Sequence, residues 1–254
     1  MVIHVIIPAY NEAGRIEGTL DALYEYSRTG PHRLAVSVVD DGSTDPTVSI
    51  VTAYRDNVWS EVRLVRLPRN LGKGAAVRYG MMHLAPGCDW ALLSDADLST
   101  PIEEVETLLA HSREAGILIG SRALNPDLIT IHQPALRQLM GKVFNLLIRT
   151  LFLDGFYDTQ CGFKLFRPHI ARQIFTELTT PGFAFDVEVI ARAYRRGYVV
   201  KEVPVRWEHR ELSRVSIVGA PLKMLKEIVK LRLRMGRVRP AFPPAWRDGR
   251  RKIL

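Results

Sequence analysis

The sequence predicts a single α/β domain in which helices cover both faces of a mainly parallel sheet. Short apolar runs rich in β-branched residues alternate with helical patterns through the first half of the chain, as in parallel strands joined by helical crossovers. With 254 residues, of which 47% are hydrophobic, the chain can bury one substantial core. Sheets of this type bind ligands just beyond the carboxyl ends of their strands, so functional residues are expected there.

The predicted elements follow one another in a regular order. Strands are expected at 2–7, 34–39, 62–67, 90–93 and 117–119, with helices at 16–26, 48–54, 74–84 and 102–111. The second half predicts an amphipathic helix at about 134–153, a loop and strand at 157–167, a helix at 185–196, a strand at 198–207 and an amphipathic helix at about 219–235. Residues 1–235 thus form the predicted domain, and residues 236–254 are expected to be a flexible basic tail.

The positive charge is concentrated at the end of the chain. Residues 222–254 contain 11 Lys and Arg against Glu227 and Asp248, which gives +9, whereas the whole chain carries +8. Such a segment indicates an anionic partner, either nucleic acid or an acidic membrane surface, or only a solvated end. No run of about 18 apolar residues occurs, so no transmembrane helix is expected, and the start of the chain predicts a strand rather than a signal peptide. Cys88 and Cys161 lack ligand-like spacing and are expected to be inert thiols in a reducing cytosol.

Carboxylates follow two of the predicted strands. Asp40 and Asp41 come directly after the second strand, and Asp95 and Asp97 come directly after the fourth. A turn with a helix cap accounts for Thr44–Pro46 but not for Asp40 and Asp41, since an unpaired carboxylate beside a buried strand is costly. A ribose, a base edge or a cation could satisfy them.

The Asp-x-Asp pair is typical of a metal site. In extended conformation Asp95 and Asp97 would point the same way, and their like charges would repel unless a cation lay between them. Hard oxygen ligands suit Mg²⁺ or Mn²⁺. Between the two acidic pairs, the glycine-containing segment 69–76 opens a helix but lacks the Walker A pattern. Its N–H groups and Lys73 could bind phosphate, or the segment could be a plain turn.

Together these motifs resemble family 2 glycosyltransferases of the GT-A fold, and among them the dolichyl-phosphate β-glucosyltransferases and their prokaryotic relatives. The resemblance lies in the order and spacing of 8–12 (PAYNE), 39–45 (VDDGSTD), 70–74 (NLGKG) and 95–97 (DAD), and it continues through 100–104, 120–122, 158–166, 185–188 and 203–207. It covers about residues 2–235.

The resemblance implies donor-side roles at the first motifs. Asp40 and Asp41 would bind the nucleoside, and Asp95 and Asp97 would bind the metal and the donor diphosphate. The other expected donor-side residues are Pro8, Tyr10, Asn11, Glu12, Lys73 and Ala96.

The later motifs imply acceptor-side and closing roles. Either Arg122 or Arg137 could hold the acceptor phosphate, with a surface arginine as the alternative for each. The pair Ser213-Arg214 matches a segment that closes over the donor phosphates in the family. The expected acceptor-side or sugar-hydroxyl ligands are Asp158, Gln160, Asp186 and Glu188.

The implied reaction is an inverting, metal-dependent transfer of a hexose from a nucleotide-sugar to a polyprenyl or dolichyl phosphate. UDP-glucose is the favoured donor, and GDP-mannose or another acceptor is the alternative. A phosphate monoester has a second pKa of about 6 and is already largely ionised at neutral pH. We therefore expect no general base and assign that role to neither Asp158 nor Asp186. No aromatic–basic stacking array is evident, so no nucleic-acid partner is expected.

The two amphipathic helices predict how the chain reaches a lipid. One apolar stripe is formed by Leu136, Leu139, Met140, Val143, Phe144, Leu147 and Leu151. Packing on the core is the alternative to insertion of this face into lipid. In the last helix Lys226 and Lys230, with the arginines that follow, could bind anionic headgroups. We expect peripheral attachment at the cytoplasmic face of a membrane; the sequence does not indicate an oligomeric state.

Overall fold

The computed structural model describes residues 1–131, 135–153, 155–210 and 219–238. Its first half contains β1 (Val2–Ala9), α1 (Ile16–Thr29), β2 (Arg33–Asp40), α2 (Thr47–Asn57), β3 (Val62–Arg66), α3 (Lys73–Met82), β4 (Trp90–Ser94), α4 (Glu104–Leu109) and β5 (Ile117–Ser121). A short 3₁₀ turn (Pro126–Leu128) precedes β6 (Ile129–Ile131), α5 (Ala135–Leu151), β7 (Phe163–Phe166), α6 (Pro168–Thr176), α7 (Phe185–Arg195), β8 (Val200–Pro204), β9 (Trp207–Glu208) and α8 (Gly219–Met235).

A seven-stranded sheet in the order β3-β2-β1-β4-β7-β5-β8 forms the centre of the molecule. All neighbours pair in parallel except β7, which runs antiparallel between β4 and β5. The predicted α/β class with a mainly parallel sheet is therefore confirmed. The strands after β1 lie on both of its sides, because β2 pairs with one edge of β1 and β4 with the other. This reversal of direction opens a crevice at the carboxyl ends of β1 and β4.

The core has two layers, one on each face of the sheet. Helices α1, α2 and α4 pack on one face through residues such as Leu20, Val51 and Leu108. Helices α3, α6 and α7 pack on the other through residues such as Val77 and Phe175. Because both faces of the sheet are covered, its strands are nearly continuous apolar runs, as parallel sheets require.

Several elements differ from the sequence-based expectation. Helix α6 and strand β6 were not predicted, and the expected strand at 198–207 is divided into β8 and β9, which pairs with β6 rather than with the main sheet. Pro204 ends β8, since proline cannot donate a ladder hydrogen bond. The start of the expected flexible tail is packed: the Val238 N–H donates to the Phe152 carbonyl at 3.0 Å, and Val238 is buried. Residues 239–254 lie outside the described residues.

Helices α5 and α8 contact each other and have both core-facing and exposed apolar residues. In α5 Ile148 is buried, and in α8 Ile228 and Leu231 are buried. The exposed apolar residues are Val143, Leu146 and Leu147 of α5 and Val229 and Leu233 of α8. Within the described part of the chain, no helix combines the length and the apolar character needed to cross a membrane.

Candidate active site

The loop after β1 is joined to the loop after β2 by Asn11. Its backbone has a φ of 56°, a left-handed conformation that asparagine tolerates better than most residues. The Asn11 N–H donates to Ser43 Oγ at 2.8 Å, and Asn11 Oδ1 accepts from the N–H groups of Thr44 at 2.8 Å and Asp45 at 3.2 Å. The predicted donor-side residue Asn11 thus shapes the crevice by fixing both loops.

Asp40 and Asp41 lie buried at the end of β2 and have different partners. Asp40 accepts from the Ser43 N–H at 3.3 Å through both of its oxygens. Asp41 accepts from the N–H groups of Leu71 and Gly72, each at 2.8 Å. Burial raises the pKa of Asp41 despite these two bonds. Asp41 therefore holds in place the loop that leads into α3, whereas the bonds of Asp40 are long and weak.

The remaining predicted donor-side positions near β1 and β4 differ in exposure. Pro8 is buried within β1, while Tyr10 is 42% exposed at the mouth of the crevice. Ala96 is buried, and its carbonyl accepts from Thr19 Oγ1 of α1 at 2.7 Å.

Asp95 and Asp97 lie in a turn, not in the extended backbone that the sequence predicts. Strand β4 ends at Ser94, and the Leu98 N–H donates to the Asp95 carbonyl at 3.2 Å. Leu98 has a φ of 45°, a conformation that is costly for a residue with a Cβ. The Ser99 N–H donates to Asp97 Oδ1 at 2.9 Å. Asp95 and Asp97 therefore line the same hollow through a strained turn and not through strand alternation.

Each carboxylate of the pair has a basic partner from a different loop. Lys73 Nζ, at the start of α3, lies 2.6 Å from Asp95 Oδ1. Arg15 Nη1 lies 3.7 Å from Asp97 Oδ2, and a second nitrogen of Arg15 donates to Glu12 Oε1 at 2.8 Å. The predicted residues Glu12, Lys73, Asp95 and Asp97 are thus brought together, with Arg15 as an additional member.

The Asp95 carboxylate also lies close to Gly162, which precedes β7. A Cβ at position 162 would lie 2.0 Å from Asp95 Oδ2. Among the described residues no group of three or more His, Cys, Asp or Glu side chains could enclose a metal ion. The two carboxylates nevertheless fit Mg²⁺ or Mn²⁺, because such ions commonly complete their coordination with phosphate and water oxygens.

On the other side of the crevice, Arg122 forms a two-bond salt bridge with Asp158. Arg122 Nε lies 2.6 Å from Asp158 Oδ2, and Arg122 Nη2 lies 2.8 Å from Asp158 Oδ1. Burial by itself raises the pKa of Asp158, but the Arg122 guanidinium outweighs it and the pKa falls below its ordinary value. The guanidinium also lies 5.5 Å from the centre of the Trp207 ring. The oxygens of Asp158, expected as acceptor ligands, are instead occupied by Arg122 and by the Gln160 N–H at 3.1 Å.

Glu202 of β8 binds the backbone next to this ion pair. It is buried and accepts from the N–H groups of Tyr157 at 2.9 Å and Asp158 at 2.8 Å. Burial raises the pKa of Glu202 to about 7. Glu202 therefore holds the backbone at Asp158, and the Asp158 carboxylate in turn orients the Arg122 side chain.

Asp186 and Glu188 both have partners within the protein, and the charge of Asp186 also interacts with those of Lys73 and Asp95 in the site. The buried Lys164 Nζ lies 2.6 Å from Asp186 Oδ1. Glu188 is fully buried and accepts from the Thr180 N–H and from Arg192 Nε, each at 2.7 Å. Their contacts are those of residues that anchor α7 and its neighbours, and give no support to sugar binding by Glu188.

Three predicted residues cannot be placed in the site. Ser213 and Arg214 lie outside the described residues, and Arg137 lies in α5 at a position whose side chain is not described.

Four members of the site were not predicted from sequence, namely Arg15, Gly162, Lys164 and Glu202. A signal existed for two of them: Lys164 interrupts the apolar run of β7, and Glu202 interrupts that of β8. A charged residue inside a buried run needs a partner, so each indicates an ion pair or hydrogen-bonded backbone nearby. Arg15 and Gly162 carry no such signal.

Comparison with known proteins agrees with this geometry. The sequence profile "Glycosyl transferase family 2" matches residues 4–175. A solved structure of glucosyl-3-phosphoglycerate synthase from Mycobacterium tuberculosis, in complex with Mn²⁺, UDP-glucose and phosphoglyceric acid, superimposes with a TM-score of 0.65 at 17% identity. The match covers 90% of this chain and 79% of that chain. The likeness confirms the expected GT-A fold.

Two curated relatives are similar over most of their length. The dolichyl-phosphate β-glucosyltransferase of Dictyostelium discoideum is 34% identical over 243 residues, covering 91% of this chain and 73% of that protein. The protein of the same name from Homo sapiens is 32% identical over 243 residues, covering 91% of this chain and 74% of that protein. By its profile match and these relatives, the chain belongs to glycosyl transferase family 2.

Proposed function

We propose that this chain transfers glucose from UDP-glucose to a dolichyl or other polyprenyl phosphate, with inversion at the anomeric carbon. The observation that carries the proposal is the position of Trp207, which lines a hollow of about 20 Å³ with Asp95 and Asp97 and whose ring centre lies 5.5 Å from the Arg122 guanidinium. It adjoins a carboxylate pair suited to a cation-bound diphosphate on one side and an arginine suited to a second phosphate on the other. The names of the curated relatives support the glucose and the lipid phosphate.

On the donor side, the chain's charges act on the leaving group. Asp95 and Asp97 would hold Mg²⁺ or Mn²⁺, which neutralises charge on the diphosphate when bound. Lys73 lies beside Asp95 and can add a positive charge as the bond between the anomeric carbon and the donor oxygen breaks. Asp41 keeps Lys73 in position by holding the backbone of Leu71 and Gly72.

On the acceptor side, Arg122 would bind the lipid phosphate and direct one of its oxygens at the anomeric carbon. That oxygen forms the new bond while the nucleoside diphosphate leaves from the opposite face, so an α-linked donor gives a β-linked product. No proton has to be removed, since the phosphate is already ionised. Asp158 holds the guanidinium in a fixed orientation, which favours near-attack geometry.

The transfer is tested with purified protein, a short polyprenyl phosphate and Mn²⁺ or Mg²⁺. We expect glucose transfer from UDP-glucose, a lower rate from GDP-mannose, and a β-linked product by NMR. A faster reaction with GDP-mannose would replace the proposed donor, and an α-linked product would refute direct displacement. If every donor were inert with this acceptor, the proposed acceptor class would be wrong.

We also propose that α5 and α8 of the catalytic domain, residues 1–235, rest on an anionic membrane surface as a peripheral contact. Leu233 is 81% exposed, and Lys230 and Arg234 of the same helix are exposed beside it. Apolar side chains next to basic ones favour an interfacial position. The cytoplasmic face supplies the anionic lipids that such a surface attracts.

Vesicle flotation tests the membrane contact. Leu233→Asp should lower the fraction of protein that floats with vesicles containing an anionic lipid. Val58→Asp, which adds the same charge at a 48% exposed apolar position of another face, should not. Equal flotation of the two variants would contradict the assignment of α8.

A further inference from the structure

The ion pair between Lys73 and Asp95 places a positive charge beside the position that a metal ion bound to Asp95 would take. Lys73 Nζ lies 2.6 Å from Asp95 Oδ1, which is the buried oxygen of a side chain that is 34% exposed. A Mg²⁺ ion that binds a carboxylate oxygen directly lies about 2.0–2.1 Å from it. A cation bound through either oxygen of this carboxylate would lie close to the Lys73 ammonium, and the two positive charges would repel each other.

Lys73 can leave Asp95 without any change in the backbone. Its Cα is fixed as the first residue of α3, and the preceding Gly72 N–H is bound to Asp41 Oδ2 at 2.8 Å. The ammonium is carried on a flexible four-carbon stem, so rotation of the side chain moves it. Besides Asp95, the Lys73 ammonium interacts with the charges of Asp186 and Asp97, and it lies 6.0 Å from the centre of the Phe183 ring.

Arg15 differs from Lys73 in this respect. Its nearest approach to Asp97 is 3.7 Å, and its guanidinium is tied to Glu12 through two nitrogens. Arg15 can therefore stay in place when a cation contacts Asp97, whereas Lys73 is in direct contact with Asp95 and would be repelled by a cation bound there.

We infer that Lys73 is an internal counter-ion that competes with the divalent cation for Asp95 and is released to the diphosphate, so that the cation and the nucleoside diphosphate bind with positive coupling. The inference rests on the proposed function, because it takes Asp95 as a ligand of the cation. Glu12, Asp95 and Asp97 against Lys73 and Arg15 give a formal charge of −1, so a divalent cation alone leaves the site at +1. The diphosphate restores the balance and gives the displaced ammonium a new partner. Each ligand thereby removes part of the cost of binding the other.

The test measures Mn²⁺ binding to the full chain without nucleotide, by electron paramagnetic resonance of free Mn²⁺. We expect Lys73→Met to bind Mn²⁺ about tenfold more tightly than the wild type. Lys201→Met is the matched control, since it removes the same charge from a salt bridge with Glu114 outside the site, and its affinity should equal that of the wild type. Unchanged or weaker Mn²⁺ binding by Lys73→Met would overturn the inference.

The coupling is measured by repeating the titration with UDP, after correction for Mn²⁺ bound by UDP in solution. UDP should tighten Mn²⁺ binding in the wild type and in Lys201→Met, and by a smaller factor in Lys73→Met. An equal factor in all three proteins would also contradict the inference. Lys73→Gln repeats the test with a different neutral side chain, and melting temperatures identify any variant that does not fold.

A further variant separates this inference from the proposed function. Asp95→Asn should abolish Mn²⁺ binding at the site. If Asp95→Asn bound Mn²⁺ as the wild type does, the proposed cation site would be wrong. If Asp95 proved necessary while Lys73→Met bound no more tightly, the cation site would stand and only the competition by Lys73 would be refuted.

Discussion

Replacement of Gly162 by alanine should disable the donor side of the site while leaving the fold intact. The added Cβ would lie 2.0 Å from Asp95 Oδ2 and 2.2 Å from its Cγ, whereas real Cβ contacts are essentially never shorter than 3.0 Å. The carboxylate therefore has to retreat by about 1 Å. A displacement of this size at a reacting centre costs about 100-fold in rate, or about 2.7 kcal/mol of activation free energy.

The assay is the transfer reaction, followed together with thermal unfolding. Because the Asp95 side chain is 34% exposed, it can swing outward, and we expect the melting temperature of Gly162→Ala to change little. Gly18→Ala in α1 is the matched control, since a Cβ there meets nothing within 4 Å and activity should be unchanged. Full activity of Gly162→Ala would refute the claim that close contact with this glycine positions Asp95.

Three further predictions concern the buried charges. Asp158→Asn should raise KM for the lipid phosphate about tenfold and leave KM for the donor unchanged in steady-state kinetics; equal changes in both would contradict the acceptor role of Arg122. Burial raises the pKa of Glu202 to about 7, so the free energy of unfolding should fall as the pH rises from about 4.5 through 7. Denaturant unfolding at each pH should show a fall that is about 3 kcal/mol larger in the wild type than in Glu202→Gln. An equal fall in the two proteins would disprove this. Lys164→Met should lower the free energy of unfolding by about 3–5 kcal/mol in urea denaturation, because it leaves Asp186 buried without its lysine partner. The double variant Lys164→Met, Asp186→Leu should recover much of this loss. If it recovered none, the broken ion pair would not be the cause.

The sequence was sufficient to predict the class of fold and the edge of the sheet that carries the chemistry. Hydrophobic periodicity places β1, β2 and β4, and Asp41 and Asp95 follow β2 and β4 as expected, whereas Asp40 is the last residue of β2. Periodicity does not reveal strand direction, so β7 could not be assigned as antiparallel between β4 and β5.

The contacts within the site join residues that are far apart in the sequence, so no local sequence pattern predicts them. The Arg122–Asp158 pair joins residues 36 positions apart, and Glu188 is occupied by Thr179 and Thr180, nine and eight positions away. From sequence each carboxylate was equally available to a substrate. The structure separates those already bonded within the protein, Asp158 and Glu188, from Asp95 and Asp97, which face movable or distant cations.

The short segment from Asp158 to Gly162 fixes the spacing between the two halves of the proposed reaction. One end holds Arg122 and the other end contacts Asp95, and four residues of chain can span no more than about 14 Å. The segment therefore limits the distance between Arg122, which would bind the incoming lipid phosphate, and Asp95, which would hold the cation of the departing diphosphate. An insertion within it would leave two intact half-sites, each able to bind its own substrate but too far apart for the two to react.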